Sequence, residues 1–411
     1  MNLFRIKYFN NVLIFICAVI TFCCTSPFHS SPVDNQEAFL SALKSALPGD
    51  TILIKDGIYY DWSVLIDAEG TSENKITIKP ESINGVVFSA SKLSKTHTIK
   101  ITGKQLVLDG FIFKDILFDQ STLVLVGSKN VRITNCTFQN IRGDGRERRM
   151  FVVHGNTDNT EIDHCIFENN DLVQTITLRV GELGFPTNSH IHHNTFHNLN
   201  LNAGDEGSET IQLSQTTQGF NYTQLCLKTI VEDNHFENIR GDAETISNKS
   251  NENTIRRNTL INCNQLVLRG GHNCLLEDNK LIDSQGPAIR IYGSGHVIQN
   301  NTIKNPTGNG ISMCYGMGSG IKVRTHRITS TNSIVKNNLI EGAGEYGIFL
   351  GEGKGTDYSG HKNAKRWNTG VIQDIPPSGN SITSNKIVNS KNKPIEIAGA
   401  AKNVIVNNVY E

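Results

Sequence analysis

A phrase of polar residues, then Asn, one further residue and an apolar side chain recurs along this chain. It ends at Phe138, Phe167, Phe196, Phe236, Leu260, Leu281, Ile303, Leu339 and Ile387. The intervals are 29, 29, 40, 24, 21, 22, 36 and 48 residues. The short ones cluster at 21–24, and the longer ones are the same unit with loops inserted. A unit this small cannot bury its own apolar face, so units must stack. Runs such as Asn130-Val131-Arg132-Ile133-Thr134 and His296-Val297-Ile298-Gln299-Asn300 alternate apolar with polar residues and break at Asn or Gly, as half-buried strands do. Three such strands per coil predict an all-β chain: a single right-handed parallel β-helix, the hand following from parallel crossovers. The recurrent Asn is expected to form a ladder at a turn, bonding neighbouring coils while its own backbone takes the left-handed region. Leucine-rich repeats have a similar period, but their fixed leucine spacing is missing. Propeller blades carry a tryptophan signature, and this chain has two Trp.

The run from Gln36 to Leu47 has helical spacing and stops before Pro48-Gly49-Asp50, so it is expected to cap the N-terminal end of the solenoid. The stretch from Gly353 to Gly379 lacks the repeat phrase and reads as a projecting loop. No second domain is needed. Residues 25–411 are read as one β-helix catalytic domain and residues 1–24 as a secretory signal of lipoprotein type. Arg5 and Lys7 precede the short apolar run Val12 to Ile20, which is too short for a comfortable membrane span. Cys23 and Cys24 follow it as candidate lipidation sites. The expected location is therefore outside the cytoplasm: periplasmic, anchored at the outer membrane by lipid, or secreted.

Lys+Arg and Asp+Glu both total 39, giving a formal net charge of zero. No global basic field points to nucleic acid, and polyanion binding would have to be local. Six of the nine cysteines lie beyond the signal, at Cys136, Cys165, Cys226, Cys263, Cys274 and Cys314. Cys136 and Cys165 sit in matching strand phrases, which suits small buried hydrophobes better than disulfides. No CxxC pair occurs, so neither a zinc nor a redox site is expected.

The charged residues that stand out are Asp242, Glu244, Lys249 and Arg269. Lys249 and Arg269 are 20 residues apart, nearly one coil, which places them on the same face of adjacent coils. Asp242 and Glu244 share a face of an alternating strand. Two carboxylates can hold a hard cation, a lysine beside cationic neighbours can act as a base, and an arginine can stabilise a developing anion. Together they suit β-elimination on a uronic acid, whose C5 proton is acidic only once its carboxylate is neutralised. A surface salt-bridge ladder is the alternative reading of the same spacing. Arg290 and Tyr292 follow Arg269 by 21 and 23 residues and are candidate contacts to a sugar, as is His272. Arg146, Arg148 and Arg149, with Lys322, Arg324, His326 and Arg327, form basic loop clusters suited to lining a groove or simply solvated. His192 and His193 read as structural.

At these residues the chain resembles polysaccharide lyase family 6, the alginate lyases and chondroitinase B. The likeness rests on Asp242-Ala243-Glu244-Thr245-Ile246-Ser247-Asn248-Lys249-Ser250, Asn258-Thr259, Cys263 and Arg269-Gly270-Gly271. It extends to Pro48-Gly49-Asp50-Thr51-Ile52, Glu209-Thr210-Ile211-Gln212-Leu213 and Ala288-Ile289-Arg290-Ile291-Tyr292-Gly293. The resemblance implies Lys249 as the base and Arg269 as the acid, with Ca²⁺ on Glu206, Asp242 and Glu244. The departures are Asp242 for Glu, Glu206 for Asn, Gln212 for Arg and Gly270 for His. The implied function is cleavage of an acidic polysaccharide, alginate first and dermatan or chondroitin sulfate second. A uronan C5-epimerase or a non-catalytic polysaccharide-binding solenoid are the alternatives.

Overall fold

The computed structural model describes residues 31–143, 149–171, 174–200, 209–214, 225–241, 244–318, 327–360, 371–399 and 402–411. Short strands alternate around a coil and assemble into three long parallel sheets of 13, 12 and 13 strands. Each strand pairs with its counterpart one coil earlier and one coil later, so the chain is a parallel β-helix. The first sheet runs from Thr51–Ile54 to Val404–Val406, the second from Val64–Ile66 to Ile395–Ile397, and the third from Gly57–Tyr60 to Val409–Tyr410.

The repeat phrases supply the third sheet's inward file. Phe113, Phe138, Phe167, Phe196 and Phe236 pair in register, and the rings from Phe138 to Phe236 stack face to face with centroids 4.6–4.8 Å apart. The file continues through Leu260, Leu281, Ile303, Ile340 and Ile387. The repeat end at Leu339 is therefore corrected by one position. A one-residue slip turns a strand's inward set outward, and the apolar Leu339-Ile340 pair hides which of the two faces in.

Eight buried or half-buried asparagines tie the coils together. Asn194, Asn234, Asn258, Asn279, Asn301, Asn338 and Asn385 each pass an Nδ2–H to the next Oδ1 at 2.9–3.0 Å, ending on Asn408. The ladder is as expected, but its backbone is not. The left-handed residue is the one before each ladder Asn, from His193 and Asp233 to Ser384 and Asn407, with φ of 53–57°. The ladder Asn stands immediately before the next short strand with its amide turned into the core. Asn279→Ala would strand the Ile255 carbonyl and the Asn258 amide, both bonded to Asn279 at 2.9–3.1 Å. Buried groups left unpaired cost roughly 1–3 kcal/mol each. A loss of about 2–4 kcal/mol is expected from the urea midpoint.

The helix Gln36–Ser45 closes the N-terminal end as expected. Asn35 caps it by accepting the Ala38 N–H at 2.9 Å, and Phe39 packs on Trp62 at 5.6 Å between ring centroids. In the stretch without the repeat phrase, Gln373–Ile375 adds a short antiparallel pair against Gly316–Met317. The six described cysteines are all free, and five are buried. The signal segment lies outside the described residues. Among those described, no helix is long and apolar enough to cross a membrane.

Candidate active site

The second sheet carries a stack of near-identical triplets, Gln174-Thr175-Ile176, Glu209-Thr210-Ile211 and Glu244-Thr245-Ile246. Ile176 pairs with Ile211 and Ile211 with Ile246, so the polar heads of the three triplets lie one coil apart. Stacked carboxylates repel unless cations stand between them. The strand Glu244–Lys249 and its neighbour Gln265–Gly270 bring those cations in through two register breaks. Glu244 pairs with Gln265 and Ile246 with Leu266, leaving Thr245 as an extra residue. Asn248 then pairs with Leu268 and Lys249 with Gly270, leaving Arg269 extra. A bulge bends its strand and re-aims the side chain it carries. Here it turns Arg269 onto the Glu244 carboxylate.

Glu244 is 1 % exposed and is bonded on both oxygens. Oε1 accepts from Arg269 and from Arg290, the latter at 2.8 Å, and Oε2 accepts from the Ser247 hydroxyl. Burial alone would raise its pKa. The Arg269, Arg290 and Lys249 charges outweigh that and hold the carboxyl well below the usual carboxylate range. Burial works against charge on Arg269 as well, and Glu244 more than offsets it, so the guanidinium stays firmly protonated.

Lys249, 6 % exposed, donates from Nζ to Glu209 Oε1 at 2.8 Å. Glu209 also accepts from Gln174 and Gln212, each at 2.9 Å, and Thr177 anchors Gln174 at 2.8 Å. The spacing argument set Lys249 among cationic neighbours, whereas its bonded partner is a carboxylate from the preceding coil. Glu209 and Gln174 were not recognised as site residues. The recurring triplet was the signal that would have found them.

Glu206 and Asp242 lie outside the described residues, as do Arg146, Arg148, Lys322, Arg324 and His326. Arg290 does belong to the cluster but not by stacking on Arg269. It pairs with Val267, and its length carries it back to Glu244. Tyr292 is 2 % exposed, with Arg290 and Arg327 each 5.9 Å from its ring centre. Its hydroxyl accepts from Arg327 at 3.0 Å, and burial pushes the phenol up to about 12, so it stays protonated. His272 stands at the turn beyond Gly271, where its Nδ1 meets the Ser294 hydroxyl at 3.0 Å. Nothing described brings it to Glu244.

The calcium set has one described member, Glu244, and its oxygens already face two guanidiniums and a hydroxyl. A hard cation needs several oxygens free of competing cations. Glu244 alone does not make a calcium site, and the other two members of the set lie outside the described residues. A second acidic group, Glu161, Asp163 and His192, brings its ligand atoms within 4.8 Å on the first sheet, away from this cluster. Its centre is committed to an ion-pair network. Asp163 accepts from Arg132 Nε at 2.8 Å and Nη2 at 2.6 Å, from Thr134 at 3.0 Å, and pairs with His164 at 2.6 Å. Burial would raise the Asp163 pKa, and the bonds from Arg132 and His164 bring it down to about 2. A depressed carboxyl stabilises fully above its unfolded value of 3.8 and loses that contribution as pH falls toward 2. Acid titration of the urea midpoint is expected to show a drop of about 2 kcal/mol in that window that Asp163→Asn lacks.

The family model described as chondroitinase B matches residues 33–409. This chain belongs to that family, polysaccharide lyase family 6. Among solved family 6 structures, the alginate lyase AlyGC superposes with a TM-score of 0.76 at 22 % identity, covering 92 % of this chain and 51 % of AlyGC. The chain thus spans about half the length of that relative. The family 6 lyase Pedsa3628 from Pseudopedobacter saltans gives 0.75 at 20 % identity and covers 92 % of both chains. A mannuronic-acid-specific family 6 lyase from human gut microbiota gives 0.70 at 21 % identity, covering 88 % of this chain and 81 % of its own. At these identities the structures speak for the fold. No curated protein matches the chain.

Proposed function

We propose that this family 6 chain is a lyase that cleaves a 4-linked uronan, alginate first, by β-elimination. The observation that carries the reading is the bulge that sets Arg269 beside Glu244, on the coil adjoining Lys249. Lys249 in its neutral amine form takes the C5 proton, and Glu209 stabilises the ammonium that results. The C5–H electrons become the C4=C5 double bond and the C4–O4 bond breaks. Arg269 gives a guanidinium N–H proton to the departing O4, and water returns a proton to Arg269. Arg290 and Arg269 face the uronate carboxylate. Their Nε–H groups are buried without a partner, as is that of Arg327, so an anion arriving there satisfies desolvated donors. Hydrolysis would want two opposed carboxylates free to act as acid and base, and both buried carboxylates here are bound to cations. The mannuronate lyase and AlyGC among the solved relatives support alginate as the first substrate to try.

The test is incubation with alginate while following ultraviolet absorbance of the unsaturated uronate end. A rise with new reducing ends supports the lyase. Changed uronate configuration without new ends would make it an epimerase, and no reaction on alginate, dermatan sulfate or pectate overturns the proposal. Because the guanidiniums supply the charge, EDTA is expected to leave the rate unchanged. A loss restored by Ca²⁺ would return neutralisation to an ion on Glu206, Asp242 and Glu244. Export with a lipid anchor at Cys23 or Cys24 is part of the proposal, and radiolabelled lipid incorporation tests it.

A further inference from the structure

The outward face of the second sheet is electrically lopsided. From the site toward the N-terminal coils, the strands Gln174–Arg179, Arg149–His154, Leu123–Val126 and Ile99–Ile101 follow in order. The outward residues toward the ends of these strands are Thr177 and Arg179, Val152 and His154, Val124 and Val126, and Lys100. None is acidic. In the other direction, the positions following Arg290 in register are Ser312, Phe349 and Glu396, and Glu352 stands 3.2 Å from Ser312. The cations Arg179 and Lys100 therefore lie on the N-terminal side of the site, while on the other side Glu396 is held by Lys393 at 2.9 Å.

His154 and Arg179 share a file with Lys249, while Lys100 lies in the neighbouring file that runs to Arg290. His154 pairs with Arg179, and Ser214 follows Arg179 one coil on, bonding its N–H to the Leu178 carbonyl at 3.0 Å. Leu213 pairs with Asn248, which puts Lys249 next in that file. With coils about 4.8 Å apart, Arg179 stands roughly 10 Å from Lys249 and Lys100 roughly 24 Å away along the axis. Burial, then the charges of Arg179, Lys100 and His97, lower His154 below the ordinary histidine range. It is a neutral donor inside a positive field at neutral pH. Beyond it lies a cleft of about 400 Å³ lined by Lys95, Thr96, His97, Lys100 and Gln120.

Resting on the lyase reading, we propose that a polyuronate chain extends from Lys249 along this face toward the N-terminal coils. Arg179, His154, His97 and Lys100 form distal subsites for carboxylates along it. A 4-linked hexuronate unit is close to one coil spacing in length, so its carboxylates meet donors on the coils of Arg179, His154 and Lys100 and pass the apolar coil of Val124 and Val126. The zero net charge of the chain makes this a local device, and long chains gain from it where short ones cannot reach.

The experiment compares Lys100→Ala and Arg179→Ala with wild type on long-chain alginate and on a purified trisaccharide. The ratio of kcat/KM for polymer to that for trisaccharide is expected to fall roughly tenfold for each variant and to recover with Lys100→Arg. Lys280→Ala, an exposed lysine on the third sheet, is the control for general charge loss and keeps the ratio. An unchanged ratio in both distal variants overturns the proposal. If wild type shows no lyase activity at all, the function reading has failed instead. The subsites are then read from alginate retardation in affinity electrophoresis, where equal retardation of wild type and variants overturns them.

Discussion

Lys249→Met is expected to lower turnover of the uronan by roughly 10²–10⁴-fold, the usual contribution of a positioned base. Methionine keeps most of the volume and removes the group that takes the C5 proton. It also leaves the Glu209 carboxylate, 2 % exposed, with the Gln174 and Gln212 amides as its donors among the described residues. Breaking a buried pair by removing one partner costs about 3–5 kcal/mol, so the variant is expected to melt earlier as well. Lost activity and lost stability must therefore be separated. Glu209→Gln in the Lys249→Met background removes the stranded charge, and the double variant is expected to regain most of the stability and none of the activity. Near-wild-type turnover in a folded double variant would strike Lys249 from the mechanism. Glu209→Gln alone should lower kcat far more than it changes KM, because Glu209 acts on the base rather than on the sugar.

The solenoid was legible because its signal is repeated. One Asn-x-Phe phrase is weak, but phrases at 21–29 residues leave few ways to bury so many small apolar faces. The capping helix was legible for the same reason, since its apolar residues have nowhere to pack except the first coils. The site was legible as a set of residues and less so as a geometry. Counting residues per coil assumes even registration, and registration breaks at Thr245 and again at Arg269. Those breaks follow from the backbone needs of a packed, charged strand, which leave no mark in a residue count. The partner of Lys249 was hidden because Glu209 is 40 residues upstream, across an inserted loop that no period predicts. The left-handed turn residue was misplaced because both it and the ladder residue are so often Asn. Only the buried one can ladder, and burial is a tertiary fact.

Glu244→Gln should destabilise the folded chain by about 3–5 kcal/mol, the cost of leaving buried charge uncompensated. The carboxylate is the shared counter-ion of Arg269 and Arg290, whose side chains are 19 % and 17 % exposed. An amide oxygen can accept one of their hydrogen bonds, but it cancels neither charge. The pH dependence separates this from simple repacking. The folded carboxyl titrates below its ordinary value of 4.5, so the unfolded chain binds its proton first as pH falls. Its contribution is complete above pH 4.5 and is lost as acid is added below that. The gap in urea midpoint between wild type and Glu244→Gln should then be constant at neutral and mildly acid pH, and narrow in stronger acid. A gap that ignores pH would mean that shape rather than charge is at stake, and no gap at all would dissolve the ion cluster as the organising feature of the site. Activity should fall in parallel. With Glu244 neutral, Arg269 and Arg290 repel each other across the position where the uronate carboxylate is to bind, and the sugar must hold together two cations that Glu244 holds together in the wild type.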